Sequence, residues 1–227
     1  MTADGRDLQA AARAPRSEPA VQPLPEATLR VADGVACLEM NRAARGNALS
    51  APLVEALLAA TARVFADPAV HTLLLTGAGP NFCTGFDLGG LDAATDGDLV
   101  LRLARIEALL DAVWRAPVRT VALASGRAWG AGADLFAACD LRLATPDASF
   151  RFPGAAFGLV LGTRRLAERV GTDRARAWVA QAATLDAAAA AGAGLASRVV
   201  APAASGADPD AAPPDWHGEV FGAPAID

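Results

Sequence analysis

The 227-residue chain has no lysine: all 20 of its cationic side chains are arginine. A phosphate-binding P-loop ends in Gly-Lys-Ser/Thr, so that motif is excluded. The bias reads as base composition of the coding sequence rather than as a functional signal. Histidine is nearly as scarce. His71 precedes an apolar run and reads as a strand-edge residue, and His217 lies near the end of the chain. Neither supports a Ser-His or Cys-His nucleophilic device. The three cysteines, Cys37, Cys83 and Cys139, lack metal-ligand spacing and read as buried thiols, so no metal is expected. No basic tract or aromatic-interleaved patch points to nucleic acid, and the net charge is −5. There is no run of about 18 apolar residues and no hydrophobic signal core at the start. The expectation is a soluble cytoplasmic protein with no membrane partner. Its length suffices for one sizeable core.

The most informative stretch is residues 126–140, Gly-Arg-Ala-Trp-Gly-Ala-Gly-Ala-Asp-Leu-Phe-Ala-Ala-Cys-Asp, straight after the apolar run from Val121. The pattern reads as a buried strand, then glycines, then an amphipathic helix. The first turn of a helix has unpartnered N–H groups and favours negative charge. Small residues at Gly130, Ala131 and Gly132 would let a ligand carbonyl approach those donors. Asp134 follows one turn later. Donors for an oxyanion beside a carboxylate for the proton suit a reaction passing through an enolate. The ordinary alternative is a tight turn of an α/β protein. The third glycine of a dinucleotide fingerprint is missing. A second segment has the same logic: the strand-like Thr72–Gly77 leads into Ala78-Gly-Pro-Asn-Phe-Cys-Thr-Gly-Phe-Asp-Leu88, whose glycines mark irregular backbone.

Together the segments resemble the enoyl-CoA hydratase/isomerase (crotonase) superfamily. The resemblance runs from about Leu29 to Val200. It includes Leu38-Glu-Met-Asn-Arg42, Gly46-Asn-Ala-Leu-Ser50, Leu74–Gly79, Phe82–Asp87, the 126–140 block, Ala148–Pro153, Phe157–Leu159, Arg165-Leu166 and Gly194-Leu195. It implies an acyl-CoA thioester as ligand, with coenzyme A arriving as part of the substrate and no permanently bound cofactor. It implies backbone oxyanion donors at Thr84 and Ala131. The stretch Thr84, Gly85, Phe86, Asp87 and Leu88 would lie along the pantetheine arm, and Ala44, Gly46 and Ala48 near the adenine. Gly130, Gly132, Pro153 and Gly154 would complete the substrate contacts. Arg42 and Arg45 are candidates for the CoA phosphates. The family also assembles as trimers or hexamers.

The departures are as specific as the match. Hydratases of this family use two glutamates. One position is held by Asp134, one methylene shorter. The other normally follows the proline of Phe-x-x-Pro-Glu, and here the motif reads Phe150-Arg-Phe-Pro-Gly154. The following loop is about two residues short of the family pattern. Hydration needs one group to activate water and another to protonate carbon, and losing one costs about 10²–10⁴-fold. Two readings follow: an acyl-CoA lyase or isomerase with Asp134 as its acid/base, or a non-catalytic acyl-CoA-binding or assembly subunit.

Along the chain, residues 1–25 read as a flexible arm, 26–200 as the core and 201–227 as a Pro/Ala-rich tail without the family's C-terminal helices. Two strands flank Ala32-Asp-Gly34, and Ser50 caps a helix to about Ala66 whose Leu53, Leu57, Ala60 and Val64 form one apolar stripe. Further helices are expected from Leu99, Gly130, Gly162, Arg174 and Asp186, with strands at 69–76, 118–125 and 141–144. The alternation argues an α/β fold, which the resemblance sharpens to the ββα-spiral of crotonases.

Overall fold

A computed structural model describes residues 20–159 and 161–201. The chain opens with strands β1 (Ala20–Leu24), β2 (Ala27–Ala32) and β3 (Val35–Met40), followed by helix α1 (Ala51–Ala66). Strand β4 (Thr72–Gly77), helix α2 (Asp96–Trp114), strands β5 (Arg119–Ala124) and β6 (Arg127–Trp129) and helix α3 (Ala131–Ala138) come next. Strands β7 (Leu141–Ala144) and β8 (Ser149–Arg151) lead to helices α4 (Thr163–Val170) and α5 (Thr172–Gln181). Strand β9 (Leu185–Asp186), helix α6 (Ala187–Gly192) and strand β10 (Arg198–Val199) finish the described chain.

Seven strands form one sheet in the order β1-β2-β3-β4-β5-β7-β10, antiparallel from β1 to β3 and parallel from β3 onward. The others, β6, β8 and β9, form a second small sheet. Each main-sheet strand in the middle of the chain is followed by a segment at the second sheet and then a helix. After β5 comes β6 and then α3. After β4, an isolated bridge joins Cys83 to Ala128 of β6 before α2 begins. This repeated ββα unit is the spiral expected from the resemblance. It also corrects one detail: β5 does not run directly into the glycine helix, because β6 stands between them.

Local chemistry explains the boundaries. The Ser50 hydroxyl accepts from Leu53 N–H and starts α1. The apolar stripe Leu53, Leu57, Ala60 and Val64 is buried, as expected. Helix α2 begins at Asp96, three residues earlier than the apolar period suggests, because Thr95 and Asp98 form a reciprocal capping box. The expected arm is corrected at its end: Ala20–Leu24 pairs antiparallel with β2, and residues 1–19 lie outside the described residues. The tail from 202 onward, with Trp216, His217 and Phe221, also lies outside them.

The core runs between the main sheet and helices α1, α2 and α3. Phe136 of α3 packs against Phe82 (6.2 Å between ring centroids) and Phe150 (4.7 Å), which ties that helix to the glycine loop and to β8.

Candidate active site

The loops after the C-terminal ends of β4 and β5 meet. Gly85 is one point of close approach: a Cβ built there would stand 2.7 Å from Trp129 O and 3.4 Å from Ala131 N. Only glycine lets the two backbones approach this far. Gly130 takes φ 53°, ψ −129°, a conformation that a side chain disfavours, and this turn aims the first N–H groups of α3 toward the loop. Gly132 lies equally tight, its Cβ position 2.3 Å from Cys83 O.

A buried backbone N–H needs an acceptor, and most donors of the loop have one. Thr84 N–H, the oxyanion donor expected from sequence, is already committed: it donates to Gly46 O at 3.0 Å. Cys83 N–H donates to Arg127 O at 3.0 Å, Gly85 N–H is turned to the Cys83 sulfur, and Asp87 N–H donates to Leu49 O at 3.3 Å. Among the described residues, Phe86 N–H has no acceptor, and neither has Ala131 N–H at the start of α3. The open pair is therefore Phe86 and Ala131, two positions along the loop from the donor expected.

Asp134 is largely enclosed yet keeps some solvent contact. Burial pushes its carboxyl up to about 7, against the pull of Arg165; Glu107 adds to the rise, and the neighbouring Gly162 backbone opposes it. Its side chain rests directly on Gly162, where a Cβ would fall 2.0 Å from Oδ1 and 2.7 Å from Asp134 Cβ. Glu107 and Gly162 were not singled out by the sequence, and Arg165 entered only as part of the resemblance. They come from α2 and the start of α4, remote in sequence from α3.

The other expected contacts form one continuous strip. Ala44 is exposed on the 3-10 turn Ala43–Arg45, Gly46 touches Thr84, and Ala48 is buried. The strip continues through residues 84–88, where Leu88 is exposed, to Gly130, Gly132 and Pro153, whose Cδ lies 4.0 Å from the Cβ position of Gly130. Arg42 does not fit a phosphate role. Its guanidinium is spent on Glu26 (2.9 Å), Ala48 O (3.2 Å) and Asp87 (2.8 Å). Burial raises the Asp87 carboxyl, but Gly89 N–H, Arg42 and Arg102 together hold it below the usual range. Arg45 is exposed beside this strip. Gly154 has no room for an acid: a Cβ would stand 2.5 Å from Leu159 O. Cys83 and Cys139 are buried thiols held up to about 12 by desolvation and are not nucleophiles. Among the described residues there is no cluster that could hold a metal, and no helix long and apolar enough to cross a membrane.

This ββα spiral with glycine loops converging beside a buried acid has known counterparts. The sequence model of the enoyl-CoA hydratase/isomerase family matches residues 30–205. The chain belongs to the enoyl-CoA hydratase/isomerase family. It is 39% identical over 197 residues to a Mycobacterium leprae protein named as the enoyl-CoA hydratase echA6, covering 84% of this chain and 74% of that one. It is 30% identical to the human mitochondrial methylglutaconyl-CoA hydratase over 171 residues, 74% of this chain and 50% of the human protein. A Bordetella parapertussis crystal structure described as an enoyl-CoA hydratase/isomerase superposes with a TM-score of 0.73 at 42% identity, covering 81% of this chain and 73% of its own. The crotonase fold and family are thus established for this chain.

Proposed function

We propose that the protein binds an enoyl-CoA thioester, holds the thioester oxygen between Phe86 N–H and Ala131 N–H, and moves a proton with Asp134. The observation that carries this reading is the pair of open backbone donors meeting across Gly85, one helical turn before a carboxyl poised near neutrality. Donors aimed at a developing oxyanion favour the enolate over the ground-state carbonyl. An acid near pH 7 can take a proton from carbon and give it back with little driving force lost either way.

The chemistry that fits one such group is double-bond migration. Asp134 removes a proton from carbon, the electrons flow to the thioester oxygen, and the enolate reprotonates from the same carboxyl at another carbon. No water is consumed. Hydration would need a second group to activate water, and the Leu159 carbonyl fills the space a side chain at Gly154 would need. The same observation supports the second reading, a CoA-thioester-binding protein without turnover.

The test is incubation of the pure protein with 2-enoyl- and 3-enoyl-CoAs of several chain lengths. Migration and hydration are followed separately by chromatography of the thioesters, and binding by calorimetry. Migration that disappears in Asp134→Asn supports the first reading. Binding without either reaction supports the second. Hydration at about 10 s⁻¹, the median enzyme rate, would refute the one-acid argument.

A further inference from the structure

Charged side chains near Asp134 link helices α2, α3 and α4. Arg165 is buried, at 8% exposure, on the first turn of α4. Its two terminal nitrogens grip Glu107 of α2 at 2.7 and 3.2 Å, and one also lies 3.5 Å from Asp111, a turn further along α2. A bidentate guanidinium–carboxylate pair fixes orientation as well as distance. The same first turn begins at Gly162, on which the Asp134 side chain rests. At the other end of α4, Arg169 donates to the carbonyls of Ala137 and Cys139 at the end of α3, at 3.1 and 3.0 Å. Helix α4 is thereby pinned to α2 at one end and to α3 at the other, with the acid between.

We propose that Arg165 is a positioning residue for Asp134: anchored by Glu107 and Asp111, it fixes the start of α4 against the acid and holds a positive charge on the turn whose first residue touches the acid. The inference rests on Asp134 being the proton-transfer group. Its content is electrostatic as well as mechanical. A cation beside a carboxyl favours the ionised form and a neighbouring carboxylate the protonated form, and Arg165 and Glu107 act on Asp134 in those opposite senses. The two strands packed on α3 each carry one arginine. Arg127 of β6 lies over the Trp129 ring, 4.9 Å from its centroid, and Arg119 begins β5, at the end of the strand away from the site.

Opposite signs make the test specific. The full-length protein is labelled with carboxyl-¹³C aspartate and titrated by NMR; the Asp134 resonance is the one lost in Asp134→Asn. Arg165→Gln is expected to raise the Asp134 midpoint by about one pH unit or more, and Glu107→Gln to lower it. Arg165→Lys keeps the charge and restores most of the wild-type value. Arg164→Gln, on the exposed face of the same helix turn, leaves it unmoved. Folded variants whose midpoints stay put, or move in the same direction, would overturn the proposal. Should Arg165→Gln fail to fold, the half-exposed Glu107→Gln decides alone. The midpoint is read without substrate, so it is separable from the functional reading. Shifts as expected with no turnover on any enoyl-CoA would sink the reaction and keep the bridge; Asp134-dependent turnover with unmoved midpoints would do the reverse.

Discussion

Replacing Asp134 by asparagine should cost activity and add stability, and the stability gain should depend on pH in a defined way. The carboxyl is raised from 3.8 to about 7 by burial, so the folded protein holds a proton that the unfolded chain gives up. Between those two values the native state binds more protons than the unfolded state, and stability falls as pH rises. At 1.36 kcal/mol per pH unit, ionising this group in place costs the fold up to about 4 kcal/mol above pH 7. Asparagine keeps the shape and has no charge to bury. The gap between Asp134→Asn and wild type should therefore be small near pH 4 and widen by about 2–3 kcal/mol between pH 5 and pH 8. Urea unfolding at fixed ionic strength across this range measures it, with the midpoint compared at constant m. The same variant should retain thioester binding and lose turnover by about 10²-fold or more. A gap independent of pH, or an asparagine variant less stable than wild type at pH 8, would refute the burial argument. Full activity would remove Asp134 from the reaction.

Three further outcomes follow from the packing. Gly162→Ala is compatible with its backbone, but the new Cβ would occupy the place of the Asp134 carboxylate, so turnover should fall while the dissociation constant for the CoA thioester changes little; equal loss of binding would contradict this. Gly154→Glu should not create hydratase activity, and even Gly154→Ala should lower stability by about 1–3 kcal/mol through overpacking against Leu159 O, measurable by chemical unfolding. Arg42→Ala should cost about 1.5–3 kcal/mol by releasing Glu26, Ala48 O and Asp87 together. Because the Asp87 carboxyl lies below its ordinary value of 3.8, its contribution is present above that pH and disappears as the solution becomes more acid, so the Arg42→Ala deficit should shrink in acid unfolding.

The family, the α/β alternation and the candidate acid were legible in the sequence alone. These are properties of local pattern. Ser50 caps a helix because its hydroxyl reaches an N–H three residues on, and Leu53, Leu57, Ala60 and Val64 are buried because their spacing matches the helical period. The strands β1 and β6 were not legible. Each is a short pairing whose partner, β2 or β8, supplies the reason to be extended, and nothing in Val21-Gln-Pro or Arg127-Ala-Trp announces it. That the Thr84 N–H is committed to Gly46 O was hidden for a related reason. Every residue from Cys83 to Asp87 carries one N–H, so the sequence offers five equivalent donors, and only the spatial surroundings of the other four, Arg127 O for Cys83, Gly46 O for Thr84, the Cys83 sulfur for Gly85 and Leu49 O for Asp87, leave Phe86 open. Gly154 was visible as a missing acid, but the carbonyl that forbids one there comes from Leu159 after a turn of backbone. Asp134 was identified from its position one turn into a helix. Its proton affinity was not, because burial, its main cause, and the opposing influences of Arg165 and Glu107 come from other helices and depend on distance in space rather than along the chain.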